Sequence, residues 1–337
     1  METGKTILFY SSVKDKSLFQ TQRFYQIDIT ILKQMGYNVI LSNKITDAFK
    51  YRRYNFVFGY FFRWSLFVAI IARIFGKKVY LTGGIDALDK AYAGEIAYNL
   101  QKYLFLLCYK FATKCIIVSP SDLRNVRDIL DGDESKIAYS EHTIETTNFS
   151  GVNMNVKENI FTTIGWQGVI SDRKGIDKAI ILFGLLKEKA EFKNYKMYIL
   201  GRKGDYTPVL QQIIDSRNLT DSVIITGEVS EKEKIDYLKR SRYYFQLSKY
   251  EGFGIAALEA LVSGNIVLHS GKGGLSNPIY DIHVKVDIDR PMQDQVSDIS
   301  KLLLEKDHMK IYSHAKNVCE YYDNERRKKE FIKIIEI

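Results

Sequence analysis

Two carboxylates eight residues apart, Glu251 and Glu259, carry the strongest chemical signal in this 337-residue chain. Glu259 falls in an otherwise apolar run from Ile255 onward, and on a helix its own face carries Ile255 and Val262. A helix apolar all round is normally buried, and Glu is almost never fully buried without a partner. Two readings follow from the local pattern. Glu259 either sits at a frayed edge or in a structural ion pair, or it points at a ligand rich in hydroxyl donors. Gly252 and Gly254 would let the backbone approach such a ligand, and the N–H groups of Phe253, Gly254 and Ile255 would face an anion at the helix N-terminus. Arg173 and Lys174, just before Gly175 and another apolar run, form a second constellation. Adjacent cations at a strand-to-helix turn suit a phosphate or diphosphate, because they add charge to the turn's N–H donors. Alone, such a pair is more often a solvated turn.

The elements that must position these groups alternate between strand and helix. Apolar runs at 6–10, 37–42, 56–59, 78–82, 115–118 and 136–139 read as strands, with helices to Met35, over 65–75 and over 93–112 between them. Ser119-Pro120-Ser121-Asp122 has the cap chemistry of a further helix start. The polar, aperiodic stretch 151–159 reads as a linker. The rhythm then restarts, with strands at 160–164, 197–200, 223–226, 244–247 and 266–268 and helices at 176–188, 208–217, 231–239 and 255–263. Alternation of this kind indicates parallel sheets covered on both faces. The expected class is therefore α/β, with two Rossmann-like, doubly wound domains facing a cleft. Residues 1–153 form the first and 154–317 the second, and a C-terminal helix at about 318–337 packs back on the first. Loops at the C-terminal strand ends, where Arg173, Lys174 and Glu251 lie, are where open parallel sheets bind ligands.

Composition narrows the class further. Hydrophobic residues make up 46% of the chain and prolines number four, which is globular rather than disordered. Three scattered cysteines, Cys108, Cys115 and Cys319, argue for reduced thiols and a cytoplasmic location. Only Ile7 to Tyr10 is apolar before Ser11, so no secretory signal is expected, and the apolar run 64–72 is too short to span a bilayer. The net charge of +9 resides in residues 1–80, which hold 13 Lys and Arg against 4 Asp and Glu. This basic, aromatic-rich segment, with Arg52, Arg53, Lys77 and Lys78, suggests an anionic partner surface such as lipid headgroups. No recognised nucleic-acid motif supports the alternative partner, nucleic acid.

The order of the motifs supports a family resemblance. Gly165, then Arg173-Lys174-Gly175, Gly201-Arg202-Lys203-Gly204, Gly227-Glu228-Val229-Ser230 and finally Glu251-Gly252-Phe253-Gly254-Ile255 with Glu259 and Ala260 fall in one order. The pattern resembles the retaining, nucleotide-sugar-dependent glycosyltransferases of family 4, with the paired acids matching their E-x7-E motif and most of 160–290 covered. Residues 77–82 and 116–119 match more weakly in the first half. The resemblance implies the GT-B fold and a set of roles. Arg173 and Lys174 would bind the donor diphosphate and stabilise it as it leaves. Backbone N–H groups at Phe253, Gly254 and Ile255 would support the phosphates and sugar, and Glu259 would accept hydrogen bonds from ribose hydroxyls. Glu251 would contact the donor sugar near the reacting carbon. Gly165 belongs to the same donor pocket, and Gly227 to Val229 would lie against the nucleobase.

The chain departs from the pattern in its first half. Many relatives carry a His after the fourth strand, where this chain reads Thr82-Gly83-Gly84-Ile85-Asp86. Asp86 is the remaining candidate to contact the sugar or the acceptor hydroxyl, a helix cap being its alternative role. Asp131-Gly132-Asp133 and Asp287-Ile288-Asp289 look like the D-x-D metal motif of another transferase fold, but neither completes an oxygen-rich ligand set. The histidines at 142, 269, 283, 308 and 314 form no cluster, so neither a zinc site nor a hydrolytic triad is assembled. His142, in a loop of the first half, would face the cleft. The expectation is thus a retaining glycosyltransferase needing neither metal nor cofactor, with the nucleotide sugar as co-substrate. Its acceptor would be a glycan or lipid-linked glycan in cell-surface polysaccharide or lipopolysaccharide synthesis, at the inner face of the cytoplasmic membrane. A catalytically silent nucleotide-sugar- or glycan-binding partner with the same fold is the alternative.

Overall fold

The computed structural model describes residues 4–149, 156–168 and 171–335. The chain divides into two units, one formed by Met1–Glu145 with Tyr322–Ile337 and the other by Thr146–Tyr321. The boundary expected at residue 153 lies outside the described residues.

In the first unit, β1 (Thr6–Tyr10), β2 (Asn38–Ser42), β3 (Phe56–Tyr60), β4 (Lys78–Thr82), β5 (Lys114–Ile117) and β6 (Ile137–Tyr139) form one sheet in the order β2-β1-β3-β4-β5-β6. Every pairing is parallel. Strand alternation divides the apolar residues between two cores. Leu8, Val57, Val79 and Leu81 face helices Ser65–Ile74 and Glu95–Phe111, while Ile7, Phe9, Phe58 and Tyr80 face helix Arg23–Gln34. The helix expected to end at Met35 is Arg23–Gln34, and a further short helix, Leu18–Thr21, precedes it, separated where Gln22 is extended at φ −87° and ψ 119°.

The last helix, Asn324–Ile335, completes the second of these cores with Phe331, whose ring lies 5.5 Å from that of Phe58. Arg327 anchors it. Its Nε and Nη2 donate to the two oxygens of Asp28 at 2.6 and 2.8 Å, and Nη1 donates to the carbonyls of Ser140 and Glu141. Tyr60 donates its hydroxyl to the same carboxylate. Both charges are completely buried, which is tolerable because both are paired and hydrogen-bonded.

In the second unit, β7 (Glu158–Ile164), β8 (Lys196–Leu200), β9 (Val223–Gly227), β10 (Ser241–Gln246), β11 (Ile266–His269) and β12 (Val284–Lys285) run in the order β12-β11-β10-β7-β8-β9. All are parallel. The chain builds outward from β7 to β9, then returns to lay β10 on the other side of β7. That reversal makes β7 and β10 the topological switch point, where open sheets part their following loops and bind ligands. The linker expected over 151–159 is corrected at its end. Glu158 and Asn159 already belong to β7. Lys157 is buried, with its ammonium donating to the carbonyls of Leu238, Ser241 and Ser263 at 3.3, 2.8 and 2.7 Å. A polar sequence hid a buried anchor, and burial pushes the Lys157 ammonium down to about 7. The rest of that stretch, 150–155, lies outside the described residues.

Candidate functional site

The loops leaving β7 and β10 meet beside Glu251. Strand β10 ends at Gln246, and the turn after it carries Ser248 and Glu251. Gln246 Nε2 and Ser248 Oγ donate to Glu251 Oε1 at 2.9 and 2.7 Å, and Lys174 Nζ from the β7 loop donates to the same oxygen at 2.7 Å. Burial alone would raise the Glu251 carboxyl, but the Lys174 charge, hydrogen bonds from Lys174 and Ser248, and the Arg173 charge outweigh it. The group is held below its ordinary value, so it is a carboxylate at neutral pH. The two loops are also tied through the backbone. Lys249 N–H donates to the Arg173 carbonyl at 2.8 Å, and Arg173 Nε donates to the Tyr250 carbonyl at 3.4 Å.

Gly175 makes that approach sterically feasible. It caps helix Ile176–Lys187 at φ +63°, and a Cβ there would lie 2.0 Å from the Leu247 carbonyl oxygen. Gly165, at the end of β7, lies against Lys174, so the residues expected to bind a diphosphate are brought into one place. Parts of the 165–175 loop, residues 169–170, are outside the described residues.

Beyond Glu251 the turn enters helix Ile255–Val262 through Gly254, an N-cap that has no side chain to cap it. Phe253 is buried. A third segment, missed in the sequence, closes on this turn. Gly273 pairs with Glu251 as a parallel bridge, and Gly274 N–H donates to the Glu251 carbonyl at 2.6 Å. The run Gly271-Lys272-Gly273-Gly274 directly after an apolar strand was the available signal.

Glu259 is buried in that helix, and Lys234 Nζ donates to its Oε2 at 2.7 Å while also lying 3.1 Å from Glu231. Of the two readings open in the sequence, the structural ion pair is present. Lys234 comes from helix Glu231–Arg240, which starts in a Ser230–Glu233 capping box two residues after Glu228. No periodic pattern in the sequence links Lys234 to Glu259, 25 residues on. Gly227 and Val229 lead into the same helix. Gly227 sits at the end of β9, where its carbonyl accepts from Gly201 N–H at 2.9 Å, and Gly165 N–H donates to the Leu200 carbonyl at 2.9 Å. The three glycines thus form a row across the strand ends of β7, β8 and β9.

The remaining candidates belong to the first unit. Asp86 is half-buried at the start of a 3-10 turn, Asp86–Leu88, and the preceding Ile85 N–H donates to Asp122 at 3.2 Å. His142 is buried, with its ring 5.9 Å from that of Phe24. Burial and the Arg327 charge push it down to about 3, so it is neutral at physiological pH. The D-x-D segments are turns. Asp133 accepts from Ser135 just after the helix end at Asp131, and Asp287 Oδ1 accepts from Asp289 N–H while Lys272 pairs with Asp289 at 2.9 Å. Among the described residues, no three His, Cys, Asp or Glu side chains are grouped to hold a metal ion.

Against known proteins, the family model described as glycosyl transferases group 1 matches residues 146–318. Mannosylfructose-phosphate synthase of Agrobacterium fabrum is 25% identical over 212 residues, covering 58% of this chain and 46% of that protein. Lipopolysaccharide 1,2-N-acetylglucosaminetransferase of Salmonella typhimurium is 26% identical over 175 residues, covering 49% of this chain and 45% of that protein. The matches thus span under half the length of these relatives. Anabaena HepE, solved in complex with UDP, superposes with a TM-score of 0.73 at 12% identity, covering 98% of this chain and 99% of that one. That likeness shows the fold, the two-sheet GT-B architecture.

Proposed function

The chain belongs to the glycosyl transferases group 1 family, and on that premise we propose that it moves a sugar from a nucleotide-sugar donor to a glycan or lipid-linked glycan, retaining the anomeric configuration. The observation that carries this reading is the Lys174–Glu251 contact at 2.7 Å, which joins the loops after β7 and β10 at the switch point. A relative named as an N-acetylglucosaminetransferase and a structural neighbour solved with UDP support it.

In this proposal Arg173 and Lys174 bind the donor diphosphate, with the N–H groups at Phe253, Gly254 and Ile255 beside them. The bond between the anomeric carbon and the diphosphate oxygen breaks, leaving negative charge on the diphosphate and positive charge on the sugar. A preorganised donor facing such developing charge is typically worth about 3–4 kcal/mol of barrier. The acceptor oxygen attacks from the face the diphosphate leaves, and its proton passes to the departing diphosphate. Glu251 holds Lys174 and contacts the sugar. Glu259 accepts from the ribose hydroxyls, and Gly227 to Val229 lie against the base. Asp86 is the first unit's proposed contact to the acceptor. The charges needed for leaving-group departure are all side chains and N–H groups, so no metal is assigned. The product would enter cell-surface polysaccharide or lipopolysaccharide, from a cytoplasmic location peripheral to the membrane.

The test is release of nucleoside diphosphate from a panel of nucleotide sugars by the full chain, in buffer and in EDTA. The expected result is turnover above background that EDTA leaves unchanged, with the product anomer matching the donor by NMR. Binding without turnover would mark a catalytically silent partner instead. Activity restored only by Mg²⁺ or Mn²⁺ would overturn the metal-free assignment, and an inverted anomer would overturn retention.

A further inference from the structure

Two neighbouring helices of the first unit bury one face and leave an apolar stripe on the other. Helix Ser65–Ile74 places Leu66, Val68, Ala69 and Ala72 in the core, while Trp64, Phe67 and Ile74 point away from it, Ile74 being 74% exposed. Helix Glu95–Phe111 buries Phe105, Cys108 and Tyr109 and leaves Ile96, Leu100 and Tyr103 outside, 88, 52 and 61% exposed. Residues 96, 100 and 103, like 64, 67 and 74, recur at helical spacing, so each trio lies on one outward face. Both helices pack on the same core and against one another, so their outward faces are neighbours. Scattered exposed apolar residues need no explanation, but two adjoining stripes of large side chains do.

The charge around the stripes selects the partner. Helix Ser65–Ile74 contains no acidic residue, with exposed Arg63 just before it and exposed Arg73 in its last turn. Helix Glu95–Phe111 carries Lys102 and Lys110, and its single acid, Glu95, lies 3.5 Å from Lys90. At the end of the first helix, Tyr51 stacks on Phe75 at 4.1 Å and supports Arg52 at 5.8 Å from its ring centre. An apolar face ringed by cations fits a bilayer surface bearing anionic headgroups, with the rings and aliphatic chains entering the boundary and the cations at headgroup level. No helix among the described residues is long and apolar enough to cross a membrane.

We propose that this face, formed by Trp64, Phe67, Ile74, Ile96, Leu100 and Tyr103, docks the chain on an anionic lipid surface. The proposal deepens the peripheral location in the reading above and rests on that location, not on the donor chemistry of the second unit. It also moves the contact from the basic residues singled out in the sequence, Arg53 and Lys78 among them, to an apolar face that cations border.

The test is sedimentation of the full chain with vesicles of phosphatidylcholine, with and without phosphatidylglycerol, for wild type, Ile96→Glu/Leu100→Glu and Arg63→Gln/Lys102→Gln. Wild type should bind the anionic vesicles and bind the neutral ones weakly. Each apolar-to-acid change should weaken binding about tenfold or more, since it removes a buried side chain and adds repulsion. The Gln pair should weaken binding in proportion to the phosphatidylglycerol content. All replaced residues are exposed or at the helix surface, so circular dichroism and nucleotide-sugar binding should match wild type. Unchanged sedimentation of Ile96→Glu/Leu100→Glu would overturn the proposal. So would a wild type that ignores vesicles but forms a dimer that this variant dissociates, because the face would then serve a second copy. Donor turnover on a water-soluble acceptor, measured without vesicles, reports on the catalytic reading separately.

Discussion

Glu251 concentrates the chemistry of the second unit in one oxygen atom. Three donors from three positions, Lys174, Gln246 and Ser248, converge on its Oε1. The result is a buried anion that holds Lys174 toward the site. Because the folded-state pKa is depressed, the stability this carboxylate contributes is present above its ordinary value and is lost as pH falls through the lower, folded value. Glu251→Gln should therefore flatten the acid limb of thermal stability relative to wild type, by the share this one group supplies. Identical acid limbs for the two proteins would show that the pairing contributes nothing. The identity of this residue was legible in the sequence, because a carboxylate followed by Gly252 and Gly254 after an apolar strand is unusual. Its partners Gln246 and Ser248 were not singled out, since a short polar side chain at a strand end has many roles. Glu259 is the instructive contrast. Its presence on an apolar face announced a partner, but Lys234 lies on a different helix, and pairing between helices leaves no mark in local spacing.

At the level of elements, the site depends on how closely two loops can pass. The strand order places β7 beside β10, and Gly175 lets the loop after the first lie against Leu247 at the end of the second. Gly175→Ala would adopt a left-handed conformation and collide with a backbone carbonyl that cannot rotate away. A loss of about 1–3 kcal/mol in unfolding free energy is expected, together with weakened nucleotide-sugar binding because Lys174 is the adjacent residue. Denaturant unfolding and a binding titration on the same variant check both. Wild-type stability would mean the loops have room to part, and the steric account would fail. Strands and helices in this region were readable from periodicity and glycine stops to within a few residues. The segment 271–274 was not absorbed, because its contact with Glu251 depends on which strand lies next to β10, and sequence spacing does not encode strand order.

Over the whole chain, the two units repeat one plan, six parallel strands with loops gathered at a switch point, and the sequence rhythm of strand and helix conveyed that plan clearly. What it did not convey is the anchoring. Arg327 reaches Asp28 across 299 positions, a pairing of buried charges that no local pattern can announce. Overall charge pointed to an anionic partner but not to the face proposed above, because exposure of Ile96 or Ile74 is decided by which helix face meets the sheet. The central claim is that the cations at the β7 turn hold the diphosphate of a nucleotide sugar. It is tested most directly by calorimetric titration of the full chain, wild type and Arg173→Ala/Lys174→Ala, with uridine and guanosine diphosphate sugars. The account predicts saturable binding of at least one of them by wild type. The double variant should bind it at least about a hundredfold more weakly, as expected for losing two charge-assisted hydrogen-bond donors. Equal affinity in the two proteins, or no binding of any nucleotide sugar by wild type, would contradict it.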